Sequence, residues 1–194
     1  MKKGLMTLDI DISDKVVIWL TYGRKKSVSF VVKPKDCRQL EKYFKKCGLT
    51  FNIAGRRRKI IYPGKGEGFD SIKTGLYCVS TNPGLAKEAA DILTNVSDLY
   101  HPSVSKKLGL LCGYPKAAVL EFSRSMANYP KNGVLSKTLL GNEEIERLYS
   151  NQPWLPYLFY RPRKNHVEDL ERAKSWASYV KSNFPQLARM FEGG

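Results

Sequence analysis

Nucleophilic or metal chemistry would have to draw on two histidines, His101 and His166, and on four cysteines, Cys37, Cys47, Cys78 and Cys112. A Ser-His-Asp or Cys-His assembly needs one of those imidazoles as its base. The best pair on offer is Cys112, beside the Gly113-Tyr114-Pro115 turn, with His101 eleven residues before it. Cys112 nevertheless lies in an apolar run, LGLLCG, where a thiol reads as a small buried hydrophobe. His166 stands at a helix start, the place of a surface or capping residue. The cysteines form no Cys-x-x-Cys pair and have no histidine at ligand spacing, so no metal site is expected, and free thiols fit a reducing cytosol. The carboxylate pairs Glu143-Glu144 and Glu168-Asp169 fall in helix first turns, where they meet the positive end of the helix dipole without a catalytic role. No catalytic residue and no cofactor is assigned.

Phosphate recognition is the better supported chemistry. The net charge is +15 with a pI near 9.7, a balance that favours polyanions because every neutralised phosphate releases counterions. Residues 1–66 hold seventeen Lys and Arg against five Asp and Glu. Two expected hairpin tips concentrate this charge, Gly23-Arg24-Lys25-Lys26 and Gly55-Arg56-Arg57-Arg58 followed by Lys59. The leading expectation is a non-catalytic nucleic-acid-associated protein, RNA before DNA, contacting phosphates through Arg24, Lys25, Lys26, Arg56, Arg57, Arg58 and Lys59. The same rim could dock an acidic protein partner, and charged residues also collect at exposed turns without any partner. Pro63 to Ile72, PGKGEGFDSI, lacks the Gly-Lys-Ser/Thr ending of a phosphate loop, which argues against nucleotide binding there. Trp154 to Lys164, WLPYLFYRPRK, has four aromatics and three basic residues. That composition suits base stacking and phosphate contact, while filling the space between helices is its plainer use.

The elements that must position these residues follow from periodicity. Residues 5–12 alternate apolar and polar and read as a strand. Val16–Tyr22 and Ser27–Lys33 read as a hairpin, and Thr50–Ala54 with Lys59–Tyr62 as a second one. Pro34 opens a helix to Lys46 with Cys37, Leu40, Phe44 and Cys47 inward, ended by Gly48. Thr74–Thr81 is a further strand, and Asn82-Pro83-Gly84 caps a helix over Leu85–Leu93. Beyond residue 95 the pattern is helical, over Ser103–Leu111, Pro115–Met126, Asn142–Tyr149 and His166–Asn183, with a turn at Pro130–Gly133 and a final turn from Gln186 to Phe191. The inward positions of the last long helix are Val167, Leu170, Ala173, Ala177 and Val180. The expected class is α+β: a basic unit at 1–95 with an antiparallel sheet and two helices, then a helical unit at 96–194 packed with it. The N-terminus has no signal-peptide pattern, and no apolar run approaches the roughly 20 residues that span a bilayer. A cytoplasmic protein with no membrane partner is expected.

Three pieces of the second half resemble an uncharacterised, mainly archaeal family, domain of unknown function 483, and its cysteine-bearing relatives. They are Leu110-Leu111-Cys112-Gly113-Tyr114-Pro115, then Leu155-Pro156 with Tyr160-Arg161-Pro162, then the helix from Ala173 to Pro185. The resemblance implies a cysteine pair after the Gly-Tyr-Pro turn and a histidine with two cysteines around the later segment. This chain has Ala117 and Ala118, then Tyr160, Arg163 and Val167, at those places. Any thiolate or imidazole site of the relatives is therefore lost here. It also implies a second function class, an enzyme or degenerate enzyme with a pocket between Gly113-Tyr114-Pro115 and Tyr160-Arg161-Pro162.

Overall fold

A computed structural model describes residues 1–32, 37–54, 75–94, 101–132, 139, 141, 143–145, 147, 155–157, 159–160, 162–164 and 167–193. The fold is α+β, with a small antiparallel sheet in the first half and helices dominating the second.

The first 27 residues depart from the sequence expectation. Residues 5–12 are not a strand: Lys2–Met6 forms a short helix, α1, and Ile12–Leu20 forms α2. Lys15 to Leu20 are all buried, so α2 is enclosed on every side. A run such as Val16-Val17-Ile18 has β propensity, but a short apolar run with both faces covered carries no period that separates helix from strand. Tertiary enclosure decides, helped by Asp14 in the first turn. The first hairpin therefore does not exist, and Gly23 to Lys26 is the turn that leaves α2. There Gly23, Arg24 and Lys25 all donate their amides to the carbonyl of Leu20, at 3.2, 2.8 and 2.9 Å.

Strand β1, Val28–Val32, follows at its expected place, then α3, Cys37–Lys46, and β2, Thr50–Ile53. Gly48 ends α3 at φ 68°, with the Gly48 amide on Lys45 and the Leu49 amide on Phe44. This is the left-handed cap a glycine provides. The Lys59–Tyr62 strand lies outside the described residues. The described partner of β2 is instead β3, Gly75–Ser80, which also pairs with β1, so the sheet order is β1-β3-β2 with antiparallel neighbours. Val79 faces Val28 on one side and Phe51 on the other.

Leu76 to Ser80 in β3 are all buried, because the sheet is covered on both faces. Tyr77 and Val79 enter the larger core with Trp19, Leu40, Phe44, Tyr157, Trp176 and Phe184, while Leu76 and Cys78 join Ala89, Leu93 and Val104. The second layer comes from α4, Pro83–Thr94, whose first turn is capped by Asn82 Oδ1 accepting the Gly84 amide at 2.9 Å. The described residues of 1–95 thus carry four helices, where two were expected.

The helical half contains α5, Pro102–Leu111; α6, Lys116–Asn132; a single 3₁₀ turn, Leu155–Tyr157; α7, Val167–Asn183; and α8, Pro185–Glu192. Helix α6 continues past Pro130, where a turn was expected. The Asn142–Tyr149 helix lies largely outside the described residues. In α7, Ala173, Ala177 and Val180 are buried as expected, but Val167 is 76% exposed and the buried first-turn residue is Asp169. The larger core draws on both halves of the chain, so no cleft divides them there. Among the described residues no helix is long and apolar enough to cross a membrane.

Helices α5 and α6 approach closely at Gly109, where an added Cβ would lie 2.8 Å from Val119 Cγ2. Gly109→Ala is expected to lower stability by about 1–3 kcal/mol through overpacking. Thermal unfolding of Gly109→Ala, Val119→Ala and the double variant checks this, because Val119→Ala should recover part of the loss only in the presence of Ala at 109.

Candidate functional site

Helix α5 ends in a glycine cap. Gly113 has φ 76°, its amide bonds Leu110 at 3.0 Å, and the Tyr114 amide bonds Gly109 at 3.0 Å. That geometry turns the chain sharply, and the buried Pro115 precedes the first turn of α6. Tyr114 is thereby aimed into the space between β1, α7 and the segment around Phe159.

Lys25 meets it there. The three basic residues of the turn after α2 divide sharply: Arg24 and Lys26 are exposed, and Lys25 is 4% exposed. Lys25 Nζ donates to the Tyr114 hydroxyl at 2.8 Å, and that hydroxyl donates to the Phe159 carbonyl at 2.9 Å. The ammonium lies 4.3 Å from the Tyr114 ring centroid, 5.3 Å from Trp176 and 5.6 Å from Phe159. Ring faces attract a cation, most strongly where water is excluded. Lys25 is therefore not available to phosphate at the surface, contrary to the sequence expectation. A basic tripeptide carries no signal of which member turns inward; the Leu20 cap decides that.

A second buried group secures the wall. Asp169, fully buried at the start of α7, accepts the Tyr160 hydroxyl at 3.1 Å, the Arg163 amide at 3.2 Å and Arg163 Nε at 3.3 Å. Arg172 Nη1 reaches the Gly113 carbonyl at 3.4 Å. The Tyr114 and Tyr160 rings stand 4.8 Å apart. Pro162 is buried, and Arg161 lies outside the described residues.

Beside this knot is a cavity of about 270 Å³, walled by α5, α6, the start of β1 and residues 159–160. Leu108, Ala118, Val119 and Phe122 make it mostly apolar, and Cys112, Tyr114 and Tyr160 supply polar atoms. The Gly-Tyr-Pro turn and the Tyr160 segment are thus in contact and line one space. Such a lining, apolar with a few convergent polar groups, is the usual make-up of a small-molecule site.

Burial lowers the Lys25 ammonium from 10.5 to about 8. Burial pushes the Tyr114 phenol well above its ordinary value and raises the Cys112 thiol, against the opposing pull of the Lys25 charge. Cys112 is thus a protonated cavity-wall thiol at neutral pH. His101 cannot serve it. The imidazole bonds Ser103 at the exposed start of α5, whereas Cys112 follows its last turn, about 16 Å away along the axis. His166, Arg56, Arg57, Arg58 and Lys59 lie outside the described residues. Among the described residues no group of His, Cys, Asp and Glu is placed to hold a metal ion. Phe159, one of the four aromatics in the Trp154 to Lys164 segment, and Trp176 escaped individual notice in the sequence because both look like ordinary core aromatics.

Comparison with protein-family models, curated proteins and solved structures finds no match.

Lys25 has no carboxylate partner among the described residues, and Asp169 is committed to Tyr160 and Arg163. A buried charge of this kind lowers stability unless a ligand answers it. Lys25→Met is expected to raise stability at neutral pH by about 1 kcal/mol. The folded state holds the lysine proton less tightly than the unfolded chain, so the wild-type penalty is complete below about 8 and fades as pH rises toward 10.5. The advantage of the variant should fade over the same window. Thermal unfolding across that range checks it, and a variant less stable than wild type at neutral pH would mark Lys25 as a structural strut.

Proposed function

We propose that this chain binds a small organic molecule in the cavity between the Gly113-Tyr114-Pro115 turn and the Tyr160 segment. The observation that carries the reading is the buried Lys25 ammonium held by Tyr114, Phe159 and Trp176, two of which also wall the cavity. A buried ammonium with no carboxylate among the described residues costs stability, whereas a binding site gains orientation and specificity from one. The resemblance to the domain of unknown function 483 family supports the same location. Of the positions where its relatives carry cysteines or histidine, Ala118 and Tyr160 line this cavity. Ala118 brings neither a thiol nor an imidazole and the Tyr160 phenol is bonded to Asp169, so binding is the reading offered and no covalent step is assigned.

The probe suited to an apolar space of this size is benzyl alcohol. Its binding, followed by ligand-observed NMR, should be lost or weakened about tenfold in Ala118→Leu, which fills part of the space. Unchanged binding in that variant, or no binding to the wild type, contradicts the reading.

The charge of the chain favours a second reading, association of the outer surface with nucleic acid, RNA before DNA. Arg24 and Lys26 remain exposed, as do Arg38, Lys42, Lys45 and Lys46 on α3. These residues, with Arg56 to Lys59 of the chain, would hold phosphates. Salt-sensitive retention on RNA should fall when Arg56, Arg57 and Arg58 are all replaced by Ala. Equal retention by that variant contradicts it, and a partner that survives nuclease treatment points instead to an acidic protein.

A further inference from the structure

An ammonium has three N–H donors. One of those on Lys25 reaches the Tyr114 hydroxyl, and among the described residues the others meet only the faces of Tyr114, Phe159 and Trp176. Ring faces replace part of the lost hydration, but this charge, nine-tenths or more enclosed, meets no opposite charge among the described residues. The groups that face it do not provide one. Tyr114 and Cys112, from the turn between α5 and α6, are held protonated by burial. The Tyr160 hydroxyl is committed to Asp169, whose carboxylate also takes Arg163. On α7, Arg172 is paired with Glu168 at 3.9 Å and Glu171 with Lys174 at 2.9 Å, both carboxylates being exposed, and the flanking Arg24 and Lys26 are exposed cations.

Lys25 is not itself a lining residue of the cavity; its ammonium lies against Tyr114 and Phe159, which belong to both. We infer that the ligand of the cavity is a small monocarboxylate, its apolar body lying between α5 and α6 and its carboxylate at the Cys112–Tyr114 end, drawn there by the Lys25 ammonium held on Tyr114. The inference rests on the cavity reading given above. A neutral apolar molecule would leave the ammonium as it is. A cation would be repelled by it. An inorganic dianion such as phosphate would have to shed its water into a lining made mostly of Leu108, Ala118, Val119 and Phe122, with one cation to offset two charges. A carboxylate on an apolar body satisfies both ends of the space. The volume admits roughly nine non-hydrogen atoms, taking the share of one water molecule as the unit.

Benzoate and benzyl alcohol have nearly the same size and differ in charge, so their affinities for the intact chain separate the two claims. Benzoate is expected to bind about tenfold more tightly than benzyl alcohol at neutral pH. Lys25→Met should abolish that preference, so that benzoate binds no more tightly than benzyl alcohol. A bound carboxylate favours the protonated amine, so binding takes up a proton and the wild-type preference should shrink as pH rises above about 8. The pH series on the wild type tests the inference even where Lys25→Met does not fold. Equal affinity for the two probes overturns the inference and leaves the cavity reading standing. Benzoate binding that persists unchanged in Lys25→Met also overturns it, by placing the anion on the outer basic surface. Binding of neither probe removes the cavity reading and this inference together.

Discussion

The enclosure of one lysine sets the constraint around which the second half of the chain is arranged. Lys25 enters from the turn after α2, Tyr114 from the cap of α5, Phe159 from the segment after the 3₁₀ turn and Trp176 from α7. A cation that has lost its water must be met by whatever polar or polarisable groups are at hand. Here that requirement draws four stretches, distant in sequence, to one point. The Tyr114 hydroxyl is the pivot, because it accepts a hydrogen bond from Lys25 and donates one to the Phe159 carbonyl. Asp169 does the matching work on the other side, holding Tyr160 and Arg163 against α7. Among the described residues Asp169 is answered by Tyr160 and Arg163, whereas Lys25 meets no carboxylate.

The sheet serves this arrangement by fixing β1 and the turn before it. β3 pairs on both edges and is buried on both faces, so β1 is held in a register in which Val28 opposes Val79. Ser27, just ahead of β1, donates its hydroxyl to the Leu111 carbonyl at 2.9 Å, tying the strand to the end of α5. The close approach of α5 and α6 at Gly109 and Val119 then closes the far side of the cavity. Stability and the site thus share residues: the glycine that lets the helices meet also lines the space they enclose.

The outward charge and the inward charge are different resources. The lysines and arginines on the outside of α3 keep their water and act through the field of the whole molecule, which salt screens. Lys25 acts over a few ångströms in a medium that screens little. A protein can use the first for polyanions and the second for one small anion, and each is answered by its own measurement.

By itself the sequence determined the α+β class, the strands β1, β2 and β3, the helices α3, α4, α5 and α7 to within a few residues at their described ends, the start of α6 though not its continuation through Pro130, and the Gly113 cap that aims Tyr114. These are local matters: glycine and proline punctuation, side-chain period and helix caps act within a few residues of themselves. The tertiary structure alone decided that Val16 to Leu20 is helix, since enclosure on all sides erases the period that distinguishes helix from strand. It alone turned Lys25 inward between two exposed basic neighbours, buried Asp169 while exposing Val167, and brought Tyr114 to Tyr160. Those outcomes depend on contacts between residues far apart in the chain. A run such as Arg24-Lys25-Lys26 has one chemistry until the fold gives its members different surroundings.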